Sequence, residues 1–180
     1  EKAVSDRGEI IAYMAVKELI RHDIVIASGL AQGVGTIAHR SAIENGGATF
    51  GILPSGMFHF KLNSFLKEVF NSDNFLILSP FYPSAEPSRY NAYTRNKYLC
   101  ALSQAVYIVE ASLQNGMIEA ATSSQKLDIP LYTTEYGEYP KSAAGNSKLI
   151  QEFSAIPVRG RIENDVIIPN MDRIISHTKF

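Results

Sequence analysis

The run "IVIASGLAQGVGTIAHR" (residues 24–40) leaves a short β-branched apolar segment, IVIA, and sets Gly33 and Gly35 just ahead of residues with helical spacing. Glycine tolerates positive φ and lets a backbone approach a ligand closely. The first N–H groups of a helix have no intrahelical partner and carry a partial positive charge. A strand, a glycine turn and a bare helix start together predict an anion seat, with phosphate as the expected anion.

Outward from that run the pattern repeats. Apolar segments lie at 24–27, 48–53, 75–78, 105–110 and 130–133, and the stretches at about 6–21, 36–45, 62–71, 91–102, 116–127 and 146–154 carry helical spacing. The first of these reads as opening on an Asp6-x-x-Glu9 capping box. Strand alternating with helix predicts an α/β fold, a Rossmann-like, mainly parallel sheet with helices on both faces. The chain opens on a helix, so the sheet reads as lacking its first strand. The expected layout is one Rossmann-like domain over 1–158, incomplete at its N-terminus, followed by a tail over 159–180 with one short apolar segment.

Composition excludes several classes. The 180 residues suit one domain, and 46% hydrophobic with 19% charged residues is ordinary globular usage. No apolar run reaches the roughly 18 residues of a membrane span and no secretory signal is legible, so a cytoplasmic protein with no membrane contact is expected. Cys100 stands alone and the four histidines show no metal spacing, so neither metal nor cofactor is expected. A net charge of −1 confines any nucleic-acid contact to a local patch.

Ligands of open α/β sheets bind outside the carboxyl ends of the strands. Candidates are therefore Ser28, Gly29 and Gly33 after the first strand, Ser55 and Gly56 after the second, and Asn115 and Gly116 after the fourth. In "YTRNKYLCALS" (93–103), Arg95 and Lys97 flank Asn96 at what reads as the opening of a helix. They are either solvated cations or a phosphate clamp, with Arg95 as a bidentate fork and Lys97 as a point charge. Arg40, Lys61 and Arg89 are further cations nearby. Phe58, Phe60, Tyr90 and Tyr93 are either loop anchors or base-stacking rings. His39 reads as a packing histidine, Cys100 as an inert thiol and Glu110 as a loop anchor. No nucleophile elbow is present.

Several of these stretches match a known pattern. "SGLAQGVGTIAHRSAIENGGATFGILPSGM" (28–57), "RNKYLCALSQAVYIVEA" (95–111), "NGMIEAATSSQKLDIPLYT" (115–133) and "GNSKLIQEFSAIPV" (145–158) occur in order. Together they resemble the signature of the DNA-processing protein A (DprA/Smf) family. The chain departs from that pattern at Gly35, where an Asp is usual, at Pro54, where a Gly is common, and in "GMIEA" (116–120), which has two hydroxyls fewer. The resemblance implies an extended Rossmann-like domain that binds single-stranded DNA without sequence preference, forms homodimers, loads a RecA-type recombinase and turns over no substrate. It assigns Ser28, Gly29, Gly33, Ser55, Gly56, Asn115 and Gly116 to the pocket and Arg95, Asn96 and Lys97 to the DNA backbone. Two alternatives remain open at this point. One is a phosphoribohydrolase-like enzyme using Glu119, and the other is a nucleotide-sensing domain.

Overall fold

The computed structural model describes residues 4–113, 116–164 and 166–178. Helix α1 (Asp6–Ile20) is capped by Ser5, whose hydroxyl accepts from the Gly8 amide. The cap therefore lies one residue before the expected Asp6, and Asp6 and Glu9 are first-turn acids that suit the positive helix end. Buried Ile11, Ala12, Ala15, Val16 and Leu19 form the inner face of α1.

Strand β1 (Ile26–Gly29) begins two residues later than its apolar run suggests. The Ile24 amide is still bound to the Leu19 carbonyl (3.2 Å), and Asp23 sits at φ 58°, so Ile24 belongs to the exit turn of α1. Helix α2 (Val34–Glu44) starts two residues earlier than its apolar spacing indicates, because Gly33, at φ 88°, breaks the chain there. Then follow β2 (Thr49–Ile52), α3 (Ser64–Lys67), β3 (Phe75–Leu78), α4 (Arg89–Ala101), β4 (Val106–Ile108), α5 (Gly116–Lys126) and β5 (Leu131–Thr134). The expected ten-residue helix over 62–71 shrinks to α3. Leu66 is its single buried residue, too little apolar burial to sustain further turns.

The expected parallel α/β architecture is present. Strands β1, β2 and β3 form one parallel sheet; β4, β5 and β6 (Ile156–Val158) form another, with α6 (Asn146–Phe153) between its last two strands. Both sheets feed one core, in which Ile26 of β1, Tyr132 of β5 and Val158 of β6 meet Ala15 and Leu19 of α1 and Ala38 and Ala42 of α2.

The described residues beyond 158 fold onto this core. The antiparallel hairpin of β7 (Gly160–Glu163) and β8 (Val166–Pro169) leads to α7 (Asp172–Thr178). Met171, Ile174 and Ile175 are buried in the cluster that holds α1. Burying side chains of this size stabilises by about 1.5–3 kcal/mol each. Among the described residues no helix is long and apolar enough to cross a membrane.

Candidate functional site

The carboxyl ends of β1 and β2 meet a cation. Arg95 is 7% exposed, and its guanidinium donates to the Ile52 carbonyl (2.8 Å) and to Asn96 Oδ1 (3.1 Å). Gly29 makes room for it, since a Cβ there would sit 2.0 Å from an Arg95 guanidinium nitrogen. Arg95 forms no ion pair among the described residues. Burial pushes its pKa below the usual arginine value. A guanidinium titrates so high that it stays charged all the same. A buried charge without a counter-charge is costly. An anion arriving at this end of the sheet would offset that cost.

The start of α2 lies against the same strand end. A Cβ on Gly35 would sit 2.3 Å from the Gly29 carbonyl oxygen and 3.2 Å from Ser28 Oγ. In the first turn the Thr36 amide bonds to Ala31 and the Ile37 amide to Gly33. The amides of Val34 and Gly35 have no protein acceptor among the described residues. Ser28, Gly29, Gly33, Arg95 and Asn96 are thus brought together.

Other expected members are placed elsewhere. The Gly56 amide is already bound to the Ala85 carbonyl (2.8 Å), and the Tyr82 and Pro83 carbonyls lie where its Cβ would be. Ser55 is buried, and its carbonyl accepts from Ser79 Oγ (2.7 Å). The second glycine turn therefore receives a neighbouring loop, and its amide does not reach an anion. Arg95 and Lys97 are the seventh and ninth residues of α4, not its opening, because Ser88 caps the helix earlier by accepting from the Asn91 amide. Lys97 is 60% exposed and pairs with Glu119 of α5 (3.3 Å). Arg40 points along α2 to Glu44 (2.7 Å) and lies over the Phe65 ring, apart from the Arg95 cluster. Gly116 opens α5, and Asn115 lies outside the described residues.

Potential acid–base groups are committed to structure. Thr49 donates to the Ile26 carbonyl, so its oxygen accepts from His39 Nδ1 (2.8 Å), and the proton of a neutral His39 resides on Nδ1. Its Nε2 is buried without a partner, and the ring stacks on Phe75. Burial, helped by the Arg95 charge, lowers the His39 pKa to about 4. Glu110 accepts from the Ser5 amide (2.9 Å), the Ser5 hydroxyl and the Tyr136 hydroxyl (2.9 Å), which makes it an anchor for the start of α1. Burial raises the Cys100 thiol to about 11, and the group is inert.

Two contributors escaped the sequence reading. Asn146 is fully buried; its Nδ2 donates to the Val109 and Thr134 carbonyls, and its Oδ1 accepts from the Ala111 amide. Tyr82 is 86% exposed beside the Gly56 turn. Its position between Pro80 and Pro83, in the long aromatic loop, was the available signal.

A family model described as DNA recombination-mediator protein A matches residues 2–167. The chain belongs to the DNA recombination-mediator protein A family. It is 33% identical over 144 residues to DNA processing protein DprA of Streptococcus pneumoniae, covering 79% of this chain and 51% of that protein. With the DprA of Bacillus subtilis it shares 25% over 146 residues, 81% of this chain and 49% of that one. The chain spans about half the length of these curated relatives. Among solved structures, the X-ray structure of S. pneumoniae DprA superposes with a TM-score of 0.76 at 25% identity, covering 88% of this chain and 56% of that one. A structure of Helicobacter pylori DNA processing protein A, described for its single-stranded DNA binding mode, gives 0.77 over 98% of this chain and 75% of that one. At 23% identity that likeness speaks for the fold. These matches do not favour the phosphoribohydrolase-like alternative, and Glu119, its expected carboxylate, is engaged by Lys97.

Proposed function

We propose that this member of the DNA recombination-mediator protein A family binds single-stranded DNA through its phosphates, without sequence preference. Phosphate oxygens sit where α2 begins, against the Val34 and Gly35 amides and the Arg95 guanidinium, with Lys97 at the exposed rim. The observation that carries this reading is Arg95, a buried cation at the ends of β1 and β2 with no carboxylate partner among the described residues. The family's description as a recombination mediator supports the wider role of presenting the bound strand to a RecA-type recombinase. The proposal includes action in the cytoplasm and as a homodimer. Catalytic turnover is not part of the proposal, because His39, Glu110 and Glu119 are each engaged in the fold.

Binding of labelled oligo-dT measured by fluorescence anisotropy across about 50–200 mM salt tests this. The affinity should fall steeply, with a slope near −0.7 per phosphate neutralised. Arg95→Gln should weaken binding roughly 10- to 150-fold, as expected for losing a charged hydrogen-bond donor. A salt-insensitive site that a mononucleotide fills equally well would reject the proposal and favour a small-nucleotide ligand.

A further inference from the structure

Three aromatic rings, on segments that follow β2 and β3, stand largely in solvent. Phe58, Tyr82 and Tyr90 are 80%, 86% and 77% exposed, although each carries a ring that ordinarily adds to a core. None stacks on another ring among the described residues, and neither tyrosine hydroxyl has a protein partner among them. Of the other two aromatic candidates, Phe60 is half-buried and Tyr93 is at 36% exposure, and neither stands out from the surface in this way.

The backbone that carries the rings is held firmly. The Phe58 amide donates to the Pro83 carbonyl (3.0 Å), next to Tyr82, and the His59 ring reaches the Ser84 carbonyl (3.1 Å). The Ala85 amide donates to the Tyr82 carbonyl (2.9 Å), and Gly56 is packed against the same loop. Tyr90 stands in the first turn of α4, which Ser88 caps and which Asn91 ties to the Glu86 carbonyl (3.0 Å). Solvated rings on braced loops lose little conformational entropy when something stacks on them.

The surroundings identify what would stack. The loops run directly from β2 and β3, at the sheet end that holds Arg95, and Tyr90 lies five residues before Arg95 on the same helix. Across 54–61 and 79–93 the cations Lys61 and Arg89 outnumber the one carboxylate, Glu86. Neither cation is in an ion pair among the described residues. Flat apolar faces interleaved with free cations match a strand of unpaired bases joined by phosphates better than an apolar protein surface. We propose that Phe58, Tyr82 and Tyr90 form a stacking platform for unpaired nucleobases beside the phosphate site. The inference rests on the single-stranded DNA reading and adds base-face recognition to it.

Two probes separate bases from phosphates: oligo-dT and an abasic deoxyribose-phosphate oligomer of equal length. Alanine at each ring should weaken oligo-dT binding by about 5- to 150-fold, leave the abasic oligomer unaffected and leave the salt slope unchanged. The chain contains no tryptophan, so Phe58→Trp supplies a single reporter. Its emission should be quenched by oligo-dT and not by the abasic oligomer. The platform is overturned if the triple alanine variant binds oligo-dT within about twofold of the unsubstituted chain, the result expected of rings that serve a protein contact. It is overturned equally if both probes are lost in parallel. An unsubstituted chain that binds both probes alike with a steep salt slope removes the platform and leaves the phosphate reading standing. One that binds neither at low salt removes both.

Discussion

Where β4 and β5 end, Asn146 closes on the Val109 and Thr134 carbonyls and Glu110 ties Ser5 to Tyr136, whereas where β1 and β2 end the buried Arg95 meets, among the described residues, only neutral oxygens. Both ends belong to three-stranded parallel sheets that share one core. In the second sheet, side chains satisfy the polar groups drawn inward, and stability is the result. In the first sheet a positive charge is sealed in, a helix start keeps free amides, and three rings nearby stay in water. Such an arrangement gives up stability, and an anion bound there, as proposed, would offset the cost. The difference separates the part of the domain that holds shape from the part proposed to meet a ligand.

The comparison breaks most directly at Asn146. Asn146→Ala strands the Ala111 amide and two carbonyls in the interior, at about 1–3 kcal/mol for each group left unpaired. A loss of about 4 kcal/mol in urea unfolding is expected, with oligo-dT affinity per folded molecule unchanged. A change in affinity with stability intact would invert the assignment of the two ends.

Acid should weaken the first sheet through His39. Its folded-state pKa, about 4, lies below the usual 6.5, so the stability tied to the neutral ring is fully present above pH 6.5. It is lost progressively as the pH falls from 6.5 toward 4. At about 1.4 kcal/mol per unit, the loss approaches about 3 kcal/mol. Thermal unfolding followed from pH 7 to pH 4 should show a drop in Tm that His39→Gln flattens, and an unchanged pH slope in that variant would remove the assignment to His39.

The smallest effect belongs to Lys97. Exposed and paired with Glu119, it contributes less than about 1 kcal/mol to stability. Lys97→Ala should leave Tm within error and reduce the salt slope of oligo-dT binding by about 0.7, the share of one phosphate. A slope equal to that of the unsubstituted chain would confine the anion site to Arg95 and the α2 amides.

Much of this was legible residue by residue. The apolar runs announced β2, β3 and β5 to within a residue at each end, since alternation of strand and helix is written in local periodicity. The glycine turn at Gly33, the packing role of His39 and the anchoring role of Glu110 followed from residue type and position. The start of β1 was missed because a helix-exit bond to Leu19 claims Ile24, a partner that local hydropathy does not reveal. The Gly56 turn looked equivalent to the Gly33 turn, yet a loop some thirty residues further on occupies it.

By itself the sequence determined the order of elements from α1 to α6, the glycine break before α2 and the family signature, because each depends on residues a few positions apart; β6, β7, β8 and α7 were not read from it. Tertiary structure alone decided which cation is buried and which end of the sheet is closed. Arg95 is sealed by the absent side chain of Gly29 and the carbonyl of Ile52, 66 and 43 positions away. Desolvation depends on everything that surrounds a charge, and only the folded chain brings those surroundings together.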